Sequence, residues 1–127
     1  MEEEVRLLLI EDDETAAEMY RLRLVADGYT VIVARDGEEG LSLATSAPPD
    51  LIYLDIRMPR LDGFEFLERL RSDPATQGIP VVILSNYGEA NLRERGLALG
   101  ALEFLIKAET TPVELSDNAG RWTLAPA

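Results

Sequence analysis

Four apolar stretches of the chain each end on residues suited to phosphate or metal chemistry. The residues at these ends are Glu11, Asp12 and Asp13 after 5–10, Asp55 after 51–54, Ser85 after 80–84 and Lys107 after 103–106. Continuous apolar runs are typical of parallel strands covered on both faces. Because open α/β sheets bind their ligands beyond the carboxyl ends of the strands, we expect these polar groups to converge in one crevice.

The predicted cluster of carboxylates needs a cation, because like charges repel. Oxygen-only ligands at this density suit Mg²⁺, and the chain has no His or Cys to favour zinc. Asp55 could then attack phosphorus as a carboxylate nucleophile and form an aspartyl phosphate. Lys107 would pair with phosphoryl oxygens, and the Ser85 hydroxyl would hydrogen-bond another.

Lys107 is the only lysine among the twelve basic residues of the chain. An ammonium group is a compact charge on a flexible stem, unlike the planar guanidinium of arginine. Its place at a strand end therefore favours a functional role for Lys107, although chance placement is an alternative.

Plain structural explanations remain open for several of these residues. The acids at 11–13 would also cap a helix and offset its dipole, and Asp13 in particular is interpreted as a helix cap. Capping accounts for one or two acids but not for Asp55 in an apolar environment. Ser85 could be a turn residue at a strand end, and Phe104 an ordinary core aromatic.

Strand and helix patterns alternate five times along the chain. We predict strands over 5–10, 30–34, 51–54, 80–84 and 103–106, and helices from about 14 to Gly28, then over 38–45, 64–71, 89–99 and from 112 to about 123. This alternation predicts an α/β fold with a doubly wound parallel sheet, right-handed crossovers and helices on both faces. The flavodoxin-like order 2-1-3-4-5 would place strands one and three side by side, bringing Glu11, Asp12 and Asp55 together.

Composition narrows the class of protein. The 127 residues suit one domain, predicted over 1–127 with its core at about 5–118. The net charge of −12 argues against nucleic-acid and anionic-membrane partners. No run approaches the roughly 18 apolar residues of a membrane span. The absence of cysteine excludes disulfides, and we expect a cytoplasmic location. Whether the chain is a stand-alone protein or part of a longer one stays open.

Three motifs resemble those of the response-regulator receiver domain, the phosphoacceptor module of two-component signalling. They are LLIEDD at 8–13, DLIYLDIRMP at 50–59 followed by LDG at 61–63, and GALEFLIK at 100–107. The resemblance spans roughly residues 5–118. It implies a phosphorylation-controlled switch that catalyses only its own phosphotransfer and dephosphorylation, not a turnover enzyme.

The resemblance also implies a role for each matching residue. The implied assignments are Asp55 as phosphoacceptor, Glu11 and Asp12 as the acidic metal pair, the Arg57 backbone carbonyl as a further Mg²⁺ ligand, Ser85 as switch hydroxyl, Phe104 as switch aromatic, and Lys107 as the family's lysine. The implied partners are a histidine kinase or phosphotransfer protein and a downstream protein that reads the face of helix 4, strand 5 and helix 5.

The chain departs from the family pattern at several positions. Ala108 replaces the proline that usually follows the lysine, and a cis bond before a non-proline residue costs about 2.5–4 kcal/mol. We therefore predict a trans Lys107–Ala108 peptide and an altered loop at 108–111. Asn86 replaces a small residue beside the switch hydroxyl, and Arg57 and Tyr87 flank the phosphoryl site.

Three other functions stay open at this point. A haloacid-dehalogenase-type phosphatase would want a second Asp where this chain has Arg57. A flavodoxin-like electron carrier would want a phosphate loop rich in Ser, Thr and Gly, where this chain has acids. A receiver-like scaffold that never takes phosphate is the main alternative.

Overall fold

The computed structural model describes residues 4–58, 61–86, 88 and 90–123. Strands and helices alternate along the chain. The strands are β1 (Arg6–Ile10), β2 (Thr30–Ala34), β3 (Leu51–Leu54), β4 (Val81–Ser85) and β5 (Glu103–Ile106). The helices are α1 (Glu14–Ala26), α2 (Gly37–Ser46), α3 (Gly63–Ser72), α4 (Ala90–Ala98) and α5 (Pro112–Trp122), and a short 3-10 helix at Lys107–Glu109 follows β5.

All strand pairs are parallel, and the sheet order is β2-β1-β3-β4-β5. The predicted order and fold class are therefore confirmed. Ile10 is level with Ala34 of β2 and with Leu54 of β3, and Ser85 is level with Ile106 of β5. The carboxyl ends of these strands consequently lie along one edge, where we define the strand-end crevice.

Helices cover both faces of the sheet, as predicted. One layer, the α2–α4 face, is an apolar cluster built from inward side chains of the strands and of α2, α3 and α4. The other layer, the α1/α5 face, joins the opposite side chains of the strands to α1 and α5. Along each strand, the side chains belong alternately to one layer and to the other, because successive strand side chains point to opposite faces of the sheet.

Polar side chains fix where the helices begin. Asp13 Oδ1 accepts hydrogen bonds from the backbone N–H groups of Thr15 and Ala16 at 3.0 and 3.3 Å, so the interpretation of Asp13 as a cap is confirmed. Thr111 and Glu114 form a reciprocal capping box at the start of α5. Pro112 occupies the first turn of α5, where its missing N–H would have no intrahelical partner.

Most boundaries fall within one residue of the predictions. Gly28 follows α1 with φ +97°, a backbone conformation that suits glycine at a helix end. Helix α5 ends at Trp122, with Thr123 as its C-cap. The predicted first residue of the fourth helix, Glu89, lies outside the described residues, as do Pro59 and Tyr87. Among the described helices, none combines the length and apolarity that crossing a membrane requires.

Gly96 lies inside α4, where its presence predicts a weaker helix. A Cβ atom at this position would collide with the Ile83 side chain of β4 and would contact Phe104 of β5 at 3.7 Å. The glycine therefore lets α4 pack closely on the sheet.

Candidate functional site

The strand-end crevice receives its acidic residues from β1 and β3. The backbone N–H of Glu11 donates to Ala34 O at 2.9 Å, and that of Asp55 donates to Ile10 O at 3.0 Å. These bonds continue the strand pairing by one residue beyond β1 and β3. They hold the two acids side by side at the position where the strand order reverses.

Three carboxylates meet in this crevice. One oxygen from each of Glu11, Asp12 and Asp55 lies within 4.8 Å of the others. Glu11 and Asp55 are only 1% and 6% exposed, whereas Asp12 is exposed to solvent. The structure therefore brings together the three acids that the sequence predicts to share one site.

Lys107 reaches the same crevice from the end of β5. Its Nζ atom forms an ion pair with Glu11 Oε1 and lies 3.3 Å from Asp55 Oδ2, and its side chain is 10% exposed. The backbone N–H of Arg57 approaches Asp55 Oδ1 at 3.4 Å from the other side. Both oxygens of the Asp55 carboxylate thus face groups of the crevice.

Burial dominates the electrostatics of these acids. It raises the pKa of Glu11 to about 7, against the lowering effect of the hydrogen bond from Lys107. Burial also raises the pKa of Asp55, although the Lys107 charge opposes this rise. Burial alone would lower the pKa of Lys107, but its hydrogen bond to Glu11 and the two carboxylate charges raise it overall. Two buried carboxylates thus share a single ammonium, and the negative charge is under-compensated.

The donor set of the crevice fits a hard divalent cation. All three side chains offer carboxylate oxygens, the ligand type that Mg²⁺ prefers. Glu11 Oε1 is fully buried and forms an ion pair with the Lys107 ammonium. A cation here would offset the charge that burial makes costly. Asp12, exposed at the rim, leaves one side of the site open to solvent and substrate.

Ser85 and Phe104 are both buried. Ser85 is the last residue of β4 and is fully buried, level with Ile106 of β5. Phe104 is 4% exposed and belongs to the apolar cluster of the α2–α4 face, below Gly96 of α4. Its inward position agrees with the structural explanation of a core aromatic and leaves its switch role as a prediction.

The loop after β5 has the predicted trans peptide, since no cis bond occurs among the described residues. Residues Lys107–Glu109 instead form a turn of 3-10 helix. Asn86 is exposed beside the crevice.

Sequence reasoning missed two contacts near the crevice. The Arg95 guanidinium lies 4.2 Å from the centroid of the Phe64 ring, and both residues line a pocket that also includes Asp12. The Tyr20 hydroxyl donates to Thr110 O at 3.1 Å. Helical spacing in the sequence indicates that Tyr20 lies on the buried face of α1, but it does not show what the hydroxyl bonds.

Comparison with known proteins defines the class. A family model described as the response regulator receiver domain matches residues 7–117. The chain belongs to this family. It is 39% identical over 102 residues to the DNA-binding dual master transcriptional regulator RpaA of Synechocystis, and 38% identical over 102 residues to the response regulator PleD of Caulobacter vibrioides. Each alignment covers 80% of this chain, but only 42% of RpaA and 22% of PleD. The chain therefore spans less than half the length of these relatives.

Solved structures agree with this membership. The chemotaxis protein CheY4 of Vibrio cholerae superimposes with a TM-score of 0.86 at 29% identity, over 94% of this chain and 98% of that one. The receiver domain of Francisella response regulator 1452 gives a TM-score of 0.85 at 30% identity, over 93% and 95% of the two chains.

Membership confirms the predicted class of function. This chain is a receiver domain of two-component response regulators, a regulatory phosphoacceptor module and not a turnover enzyme. Receiver domains interact with histidine kinases and bind Mg²⁺ at an acidic site, and this chain has an acidic cluster of Glu11, Asp12 and Asp55. The scaffold, phosphatase and electron-carrier alternatives are not favoured.

Proposed function

We propose that Asp55 is the phosphoacceptor of this receiver domain and that a phosphohistidine of a sensor kinase or phosphotransfer protein is its donor. The arrangement around one carboxylate carries the proposal. The Lys107 ammonium lies 3.3 Å from one oxygen of Asp55. One oxygen each of Glu11 and Asp12 lies within 4.8 Å of an Asp55 carboxylate oxygen. Glu11 shares the strand-end position, the acidic cluster and the ammonium, and the resemblance of segment 50–59 to the family's phosphorylation-site segment favours Asp55 as the acceptor.

The transfer step balances with these groups. An Asp55 oxygen attacks phosphorus, the new O–P bond forms as the P–N bond to imidazole breaks, and the leaving imidazole takes up a proton from solvent. Glu11, Asp12, Asp55 and the Arg57 backbone carbonyl would hold Mg²⁺. Bound there, Mg²⁺ supplies positive charge that lets an anionic phosphoryl group enter an acidic crevice. Lys107 pairs with phosphoryl oxygens, and the Ser85 hydroxyl donates a hydrogen bond to another.

Phosphorylation adds a charge of roughly −1.5 to −2 and strong acceptor oxygens to the crevice. Ser85 moves toward the new group, and Phe104 turns into the space that this motion frees. The face of α4, β5 and α5 then changes shape for a downstream protein. Close packing of α4 at Gly96 over Ile83 and Phe104 supports this route, because a change at Phe104 is felt directly by the helix. The net charge of −12 favours a protein partner over direct nucleic-acid contact.

The test is phosphorylation by acetyl phosphate in the presence of Mg²⁺, followed by intact mass. We expect wild type to gain one phosphoryl group and Asp55→Asn to gain none. Omitting Mg²⁺ or adding a chelator should also prevent incorporation.

Asp36→Asn is the matched control. Asp36 caps α2 through its side chain, a role that asparagine also fills, and it lies outside the crevice. This variant should incorporate phosphate like wild type. Incorporation at the wild-type rate in Asp55→Asn would refute the assignment of the acceptor.

A further inference from the structure

The loop that carries Lys107 is built without the proline that is usual in this family. Instead, three hydrogen bonds converge on Thr110. Its backbone N–H donates to Lys107 O at 3.2 Å, and its Oγ1 donates to Ile106 O at 2.9 Å. Its own carbonyl accepts from the Tyr20 hydroxyl at 3.1 Å. Thr110 is therefore hydrogen-bonded to the end of β5, to Lys107 and to α1.

Tyr20 is well placed to fix this loop. Its side chain is 2% exposed and packs within the α1/α5 face. Burial raises the pKa of the phenol above its usual value, so the hydroxyl stays protonated and remains a donor. Tyr20 also lies close enough to Lys107 and Glu11 for both charges to act on that pKa.

Helix α1 links the two halves of the crevice. Its first residue follows Asp12 and Asp13 directly, and Tyr20 lies about two turns further along the same helix. Helix α1 thus begins two residues after Asp12 and contacts the loop of Lys107 through Tyr20.

We propose that Tyr20 is a positioning residue, which holds the Lys107 ammonium between Glu11 and Asp55 through its hydrogen bond to the Thr110 carbonyl. The inference rests on the proposed function of Asp55. It identifies the residue that keeps Lys107 in position beside that carboxylate. In this chain the bonds of Tyr20 and Thr110 replace the conformational restraint that a proline at position 108 would supply.

Removing the Tyr20 hydroxyl should make the Lys107 ammonium more mobile, while the aromatic ring at position 20 stays packed. Tyr20→Phe leaves the Thr110 carbonyl without its donor but preserves the apolar packing. Thr110→Val is an independent variant of the same loop, since it removes the Oγ1 bond to Ile106 and keeps the side-chain shape. Tyr29→Phe is the matched control. Tyr29 is a buried tyrosine of the same face whose hydroxyl bonds Thr123, away from the crevice.

The first readout is the ammonium itself, in the metal-free protein. Because Lys107 is the only lysine, ¹⁵N labelling of lysine gives one side-chain resonance without assignment. We expect Tyr20→Phe and Thr110→Val to shift this resonance toward that of a free lysine, and to speed exchange of its hydrogens by about threefold or more. Tyr29→Phe should leave it unchanged. A merely structural role would not move the lysine signal selectively.

The second readout is the initial rate of phosphorylation by acetyl phosphate with Mg²⁺. We expect Tyr20→Phe to lower it by about three- to tenfold, and Tyr29→Phe to leave it at the wild-type value. In a Lys107→Ala background, Tyr20→Phe should have no further effect, since the residue acts through the ammonium.

The outcomes separate the two proposals. If the lysine resonance is the same in wild type and Tyr20→Phe, or if the rate falls equally in both Lys107 backgrounds, the positioning role is wrong while Asp55 can still be the acceptor. If wild type takes up no phosphoryl group, the acceptor assignment fails, and the lysine resonance still decides whether Tyr20 positions Lys107.

Discussion

The two faces of the sheet are stabilised by different kinds of interaction. The α2–α4 face packs aliphatic and phenylalanine side chains, with helices brought close at glycines such as Gly40 and Gly96. The α1/α5 face buries three tyrosines, Tyr20, Tyr29 and Tyr53, each with a hydrogen-bonded hydroxyl. Directional bonds specify one arrangement, whereas apolar contacts tolerate repacking at constant volume.

This difference matches the roles proposed for Phe104 and Tyr20. Phe104, the residue proposed to move, lies in the α2–α4 face, where a rotation exchanges one apolar contact for another. Tyr20, the residue proposed to hold Lys107, lies in the α1/α5 face, where motion breaks a hydrogen bond. A switch needs both a part that can repack and a frame that stays fixed, and here they occupy opposite sides of one sheet.

The largest effect is expected where the α2–α4 face is packed against backbone. A Cβ atom on Gly63 would lie 2.7 Å from Ile56 Cα and 2.8 Å from Asp55 O, atoms that cannot rotate away. Gly63→Ala should therefore lower the free energy of unfolding by about 3 kcal/mol, the upper part of the range for overpacking. Chemical denaturation of the purified proteins measures it.

Gly78 supplies the matched control for this substitution. A Cβ atom there meets nothing within 4 Å, and its φ lies outside the left-handed region. Gly78→Ala should be neutral or stabilise by up to about 1 kcal/mol through the unfolded state. Equal effects of the two substitutions would contradict the tight packing at Gly63.

The next effect tests the crevice, where two buried carboxylates share one ammonium. The folded state raises the pKa of Glu11 from 4.5 to about 7, so between these values it binds a proton more tightly than the unfolded chain does. The contribution of Glu11 to stability consequently falls as the pH rises through this window. Wild type should lose about 2–3 kcal/mol relative to Glu11→Gln between pH 4.5 and 7 in the metal-free protein. Denaturation with a chelator present measures the difference.

Glu114 serves as the control because its pKa shift has the opposite sign. Hydrogen bonds with Thr111 lower the pKa of this exposed carboxylate. Wild type should therefore gain stability relative to Glu114→Gln as the pH rises through the acidic range, and the difference should be constant near neutrality. A pH-independent difference between wild type and Glu11→Gln would contradict the burial cost assigned to Glu11.

The elements and the crevice could be predicted because they depend on local patterns. Apolar runs, caps such as Asp13 and the polar residues at strand ends are read directly from neighbouring positions. The partners of Tyr20 and Gly96 could not be predicted in this way, because Thr110 lies 90 residues from Tyr20 and Ile83 belongs to another element than Gly96. Side-chain pairing across the fold depends on tertiary distances that periodicity does not contain. The assigned roles of the site residues stay predictions until phosphorylation is measured.

The polar network between β3 and α5 gives the smallest of these effects. The Tyr53 hydroxyl donates to Asn118 Oδ1 at 2.8 Å, and Asn118 Nδ2 donates to Glu103 Oε1 at 2.7 Å, where the Trp122 indole N–H also donates. Tyr53→Phe keeps the ring but leaves the Asn118 oxygen without this donor. We expect a loss of about 1–2 kcal/mol in the free energy of unfolding.

A double-mutant cycle with Asn118→Leu separates the hydrogen bond from general packing. If the network is connected as the distances indicate, Tyr53→Phe should cost clearly less in the Asn118→Leu background, because the acceptor that it would strand is gone. The fluorescence of Trp122, which belongs to the same network, follows the unfolding of each protein in the cycle. Strictly additive losses would mean that the α1/α5 face is held by packing alone. Its hydrogen bonds would then not distinguish it from the α2–α4 face, and the fixed-frame role assigned to it would lose its physical basis.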